Sequence, residues 1–130
     1  YISTCRDRES VRFIEGPING ALDIRNMRRG RAVFVLVNVL CYFEMTDDLE
    51  EFLRINSMPG DLVLLVEPTV SIYWENYFSG IRLSLRPVIA MCRFLAASGF
   101  DVVARGGILS PVWYGLGEIR ISNSLVARRC

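Results

Sequence analysis

The segment from Phe43 to Val66, FEMTDDLEEFLRINSMPGDLVLLV, constrains the order of elements more tightly than any other part of the chain. Thr46 or Asp47 suits a helix N-cap, because a short oxygen-bearing side chain there accepts a bond from an otherwise unpaired N–H. Asp47, Asp48, Glu50 and Glu51 crowd the first turns, where the helix dipole favours negative charge. Asp47 with Glu50 also has capping-box-like spacing. Leu49, Phe52 and Leu53, at i, i+3 and i+4, predict one apolar face. Pro59-Gly60 is expected to end the helix and reverse the chain. Asp61 then leads into the apolar strand Leu62–Val66, which Glu67-Pro68 closes. Each acid has an architectural reason to be present, so the cluster reads as a helix start rather than a metal or catalytic site.

Ala32 to Phe43 is almost continuously apolar and β-branched, which suits a central strand, or two strands joined by a tight turn near Asn38. Tyr1 to Gly16 alternates weakly and reads as an edge strand ending at Gly16-Pro17, with Ile18 to Asn26 as a further short strand. RNMRRGR, Arg25 to Arg31, is a basic connection; its MRRGR part, Met27 to Arg31, reads as a solvated loop, with a local patch for phosphate or heparin as the alternative. A second helix is predicted from Arg86 to Ser98, with Pro87 in the first helical position and Gly99 at C′. Its apolar face is Leu85, Val88, Ile89, Cys92 and Leu95 or Ala96. FDVVA reads as a strand, RGGILSP as a turn, and VWYGL and EIRIS as further strands. The expected fold is α+β: one compact domain over residues 1–130, with twisted, mainly antiparallel β-sheets packed against two or three short helices.

Composition narrows the chemistry. All 15 basic residues are arginine, and the chain has no lysine and no histidine. It therefore lacks a Schiff-base amine, an imidazole base and any Ser-His or Cys-His pair. ARGGILSP lacks the GK[ST] ending of a phosphate loop, and YGLGEI lacks the third glycine of a dinucleotide fingerprint. Asp47, Asp48, Glu67, Glu75, Asp101 and Glu118 show no spacing that pairs two carboxylates over a pocket. The expectation is no enzymatic activity, no cofactor and no metal. A net charge of +1 gives no general pull toward nucleic acid, and no apolar run is long enough to insert in a membrane.

Two groups of residues remain as candidates for function. Cys5 and Cys130 lie near the two ends in polar, arginine-rich surroundings, whereas Cys41 and Cys92 lie in apolar segments. The first pair is expected to form a disulfide tying the termini, with the second pair as buried thiols. That bridge implies an oxidising, secreted or luminal compartment; the alternative is four free thiols in a reducing one. The chain begins at Tyr1 and reads as a processed segment. Tyr73, Trp74, Tyr77 and Phe78, supported by Trp113 and Tyr114, form either a core stripe or an exposed aromatic platform. As a platform they are the best binding surface in the chain.

Several spaced features also resemble a known family. Arg29-Gly30 enters RAVFVLVN, Phe43-Glu44 leads into the acid-capped helix, and Gly60 precedes VLLV. Ala97-Ser98-Gly99 closes the second helix, and Arg105 precedes Trp113-Tyr114-Gly115 and Gly117. This order resembles the interleukin-like EMT inducer and pancreatic-derived factor (PANDER) family of secreted cytokine-like domains. Glu44 replaces that family's aspartate, Gly106 stands where the family has an acid, and the family's second early cysteine, which would fall near Ala21, is absent. The resemblance implies a secreted, non-enzymatic module that binds a cell-surface protein or receptor. Related domains serve as carbohydrate-binding stem modules. In that alternative the aromatic rings would stack on sugars while Glu75 and Asn76 take hydroxyls.

Overall fold

The computed structural model describes residues 18–73, 86–112 and 118–130. In chain order these form a 3-10 turn (Arg25–Met27), strand β1 (Val33–Val37), a second 3-10 turn (Leu40–Tyr42), helix α1 (Asp47–Asn56) and strand β2 (Leu62–Tyr73). Helix α2 (Val88–Ala97) and strands β3 (Phe100–Val112) and β4 (Glu118–Arg129) follow. The four strands make one mixed sheet in the order β1-β2-β4-β3. β1 and β2 are parallel, from Val33 opposite Leu62 to Val37 opposite Val66. β4 runs antiparallel to both of its neighbours, β2 and β3. The fold is α+β, as the sequence predicts.

A parallel pair needs a crossover rather than a hairpin, and α1 supplies it. Its face of Leu49, Phe52 and Leu53 is buried, as the spacing predicts. These side chains join Met91, Phe94 and Leu95 of α2 against Leu36, Val63, Leu65, Leu125 and Ala127 of the sheet. Phe34 and Phe52 meet edge to face, with ring centroids 6.4 Å apart. Both helices therefore cover the same face. The other face of β1 shows Val33, Val35 and Val37, which are 61%, 59% and 50% exposed.

Several local expectations are corrected, each for a physical reason. Ile18 to Asn26 is not a strand. The side chains of Asn19 and Asp23 accept the N–H groups of Ala21 and Arg25, both at 2.9 Å, and so compete with any ladder. β1 sits at the edge of the described sheet and not at its centre. Thr46 does cap α1, but its hydroxyl donates to Glu50 at 2.8 Å instead of accepting a backbone N–H. α1 stops at Asn56, ahead of Pro59, and Gly60 makes the reversal at φ +88°. β2 runs on through Pro68, because β1 ends opposite Val66 and leaves Pro68 with β4 as its only strand neighbour among the described residues.

α2 buries Met91, Phe94 and Leu95 and leaves Ile89 60% exposed, a phase that VIAMCRFLAA, apolar nearly all round, does not dictate. Pro87 is its N-cap, and Gly99 follows the C-cap at φ +85°. RGG is no turn: Arg105, Gly106 and Gly107 pair with Leu125, Ser124 and Asn123 inside β3. The expected edge strand of Tyr1 to Gly16, and VWYGL beyond its first residue, lie outside the described residues.

The turn into β2 is pinned by a buried ion pair. Asp61 Oδ1 accepts from Arg28 Nη2 at 2.7 Å and from the Ala32 N–H at 2.9 Å. Its Oδ2 accepts from Arg28 Nη1 and from the Met58 N–H, both at 2.7 Å. Burial alone would push Asp61 up; the Arg28 fork and then the two backbone N–H groups outweigh it and hold the carboxyl at about 2. Arg28 also donates to the carbonyls of Gly30 and Asn56. This one carboxylate thus joins the basic connection, the entry to β1 and the end of α1.

Candidate functional site

In open sheets with parallel strands, ligands bind beyond the carboxyl ends of those strands. Here that position is the segment after β1, Asn38 to Thr46, beside Val66 and Glu67 of β2. Asn38 adopts φ +54°, a left-handed conformation that asparagine tolerates better than most residues. Its N–H still bonds the Val66 carbonyl at 2.8 Å, so the chain leaves the sheet immediately after a fixed point. Val39 and Leu40 then donate their N–H groups to Glu67 Oε1, both at 2.7 Å, and Cys41 donates to Oε2 at 3.2 Å.

Glu67 is 1% exposed. Burial pushes its carboxyl above the ordinary range, against the pull of the three N–H groups it accepts. From the other side, the Arg86 guanidinium, just ahead of α2, donates to the carbonyls of Leu40, Phe43 and Glu44. One buried acid holds the donors of the loop and one arginine holds its acceptors. The result is a short segment fixed in shape, with Tyr42 and Met45 exposed at 67% and 70%. Glu67 is itself no general base: both oxygens are occupied and buried. The anchors fix the backbone of the loop and present Tyr42 and Met45 to solvent.

Sequence reasoning missed both anchors. Glu67 looked like a strand end and Arg86 like a residue before a proline; their contacts span 26 to 28 and 42 to 46 positions, which no local pattern reveals. Of the predicted binding surface, Tyr73 ends β2 opposite Glu118. Trp74, Tyr77, Phe78, Trp113 and Tyr114 lie outside the described residues, as do Glu75, Asn76 and Cys5.

The expected Cys5–Cys130 disulfide is corrected at its described end. Cys130 is a free, exposed thiol. Its hydrogen bond to Asp101, the chief cause, lifts it above the ordinary thiol range. The argument for an oxidising compartment rested on that bridge and loses its support. Cys41 is buried and Cys92 half-buried, and neither is in a disulfide among the described residues.

No protein-family model matches the chain, and no curated protein matches its sequence. Solved structures do resemble it. A SAM-dependent methyltransferase from Methanosarcina mazei matches with a TM-score of 0.54 at 9% identity, over 75% of this chain and 58% of its own. Magnesium protoporphyrin IX methyltransferase from Synechocystis PCC 6803, crystallised with SAH bound, matches with a TM-score of 0.53 at 15% identity, over 79% and 47%. The chain thus spans about half the length of these structures. At such identities the likeness is one of fold.

That likeness overturns the cytokine-like resemblance. The features that carried it are sheet joints: Arg29-Gly30 precedes β1, Gly60 precedes β2, and Ser98-Gly99 ends α2. Glycine turns before apolar strands recur in many unrelated folds. The secreted non-enzymatic module, its carbohydrate-binding alternative and the cell-surface receptor partner fall with it, displaced by neighbours that are methyltransferases. So does the inference against an enzyme. Lacking histidine and lysine removes imidazole and amine chemistry, but not group transfer between two bound molecules held in line.

Proposed function

We propose that the chain forms the substrate-facing part of a SAM-dependent methyltransferase, with loop 38–46 as one wall of the site. The observation that carries this reading is the fold shared with such enzymes, which sets that loop at the carboxyl ends of a parallel pair. Methyl transfer suits the chemistry available. It needs donor and acceptor aligned, which a loop anchored by Glu67 and Arg86 favours, and it needs no protein nucleophile. The partner is then a small-molecule methyl acceptor.

The described residues fit the reacting end of the methyl donor better than its nucleoside. Loop 38–46 contains no glycine to let backbone close around a ribose or adenine, and Glu67 has no free oxygen for a ribose hydroxyl. Binding to these residues alone is therefore expected to be weak. Titration with SAH followed by amide NMR, which detects millimolar affinity, tests this. The expected shifts concentrate at Val39 to Phe43 and at Val66 and Glu67. Saturation with no shift at these positions would overturn the reading.

A further inference from the structure

The amino ends of β1 and β2, about 13 Å of strand away from the loop just described, carry a second feature. Val33 lies opposite Leu62, and Leu62 opposite Arg128, so three adjacent strands bring the end of β4 beside the entry to β1. Arg31 and Arg128 there line a cavity of about 270 Å³ with Ala32, Val33, Gly60 and Leu62. The Arg31 guanidinium lies over Gly60, its Nε 3.6 Å from where a Cβ would stand. A neighbouring cavity of about 380 Å³ shares Arg31 and includes Arg25 and Arg28.

The arginines differ in what they face. Arg25 is paired with Asp23 and Arg28 with Asp61. Arg31 and Arg128 are exposed, and neither makes an ion pair or side-chain hydrogen bond among the described residues. Asp101, across from Arg128 on β3, bonds the Cys130 thiol instead. Two guanidiniums beside one cavity repel each other until an anion joins them.

We infer that this cavity binds a phosphate monoester, its dianionic head held between Arg31 and Arg128 and its ester group on Val33 and Leu62. Each guanidinium offers a planar fork that matches a phosphate edge, and a dianion balances both charges where a single carboxylate balances one. The apolar floor favours an aromatic or aliphatic ester group over bare phosphate. The site stands apart from loop 38–46 and holds whether or not that loop serves methyl transfer.

The test is NMR titration of the chain with phenyl phosphate and, separately, inorganic phosphate. Phenyl phosphate is expected to bind the more tightly. R31Q and R128Q are each expected to weaken it by about ten-fold or more, the scale of losing charge-assisted hydrogen bonds. R29Q, at an exposed arginine outside both linings, is expected to leave it unchanged. Neither Arg31 nor Arg128 anchors the fold, so the thermal midpoints of the variants should match the parent. R31K, which keeps charge and loses the fork, should bind more weakly than the parent and more tightly than R31Q. Unchanged binding in both R31Q and R128Q, an equal loss in R29Q, or equal affinity for the two ligands would overturn the assignment.

Discussion

Asp61→Ala is expected to lower the unfolding free energy by about 3–5 kcal/mol, the usual effect of removing one partner of a buried ion pair. A domain of ordinary stability holds only about 5–15 kcal/mol, so much of the variant would be unfolded or close to it. The size follows from how much depends on one side chain. Four hydrogen bonds end on its two oxygens, two from Arg28 and one each from Ala32 and Met58. Without the carboxylate, a guanidinium and two backbone N–H groups lose their acceptors together.

The effect also depends on pH in a defined direction. The folded carboxyl titrates at about 2, below its ordinary 3.8. The unfolded chain therefore binds the proton more readily, and stability falls on acidification. The contribution is complete above the ordinary carboxylate range and is lost as pH drops from 3.8 toward about 2. Urea unfolding of parent and variant at neutral pH and across that window reads both predictions. The gap between the curves should be wide at neutral pH and should narrow with acid. A gap unaffected by acid would mean that Asp61 acts through packing alone.

Glu67→Ala is expected to cost about 3–5 kcal/mol, because three backbone N–H groups lose their acceptor where water enters poorly. The loss should be local as well as global. Hydrogen exchange at Val39, Leu40 and Cys41 should accelerate far more than at Val63 or Leu65, which sit in the core of β2. Uniform acceleration would assign Glu67 to general stability and not to the loop. Glu67→Gln should cost less, about 1–2 kcal/mol, since it keeps one acceptor oxygen but sets amide hydrogens against one of the N–H donors.

The pH sign for Glu67 is opposite to that for Asp61. Its folded carboxyl titrates above the ordinary 4.5, so the folded state holds the proton more tightly. The contribution of this group falls as pH rises upward from 4.5, and the glutamine variant should lack that slope.

What could be read from the sequence was what local physics determines. α1 was legible because Thr46, the acids behind it and Leu49, Phe52 and Leu53 all point the same way within one helix. The strand beginning at Leu62 and the stop at Gly99 were legible for similar reasons. The parallel pairing of β1 with β2 was not, since an apolar run carries no record of its partner's direction. Nor was the passage of β3 through Arg105-Gly106-Gly107, where pairing with β4 overrides the turn preference of glycine. The phase of α2 escaped because nearly every residue in it is apolar.

The site was less legible than the fold. Its anchors act on backbone groups far away in sequence, so neither Glu67 nor Arg86 has a neighbourhood that marks it. Cysteines at the two ends suggested a bridge, yet Cys130 bonds Asp101 instead. The absence of histidine and lysine bounds the chemistry and not the function. It excludes imidazole and amine catalysts, and it leaves untouched reactions that need only alignment.

Ultraviolet crosslinking of methyl-labelled SAM, followed by tryptic mapping, tests most directly whether loop 38–46 faces the methyl donor. Cleavage after Arg31 and Arg54 releases Ala32–Arg54, which carries the whole loop on one peptide. Label on that peptide, reduced by excess SAH and by Glu67→Ala, is the predicted result. Label confined to other peptides, or none that SAH competes away, would contradict it.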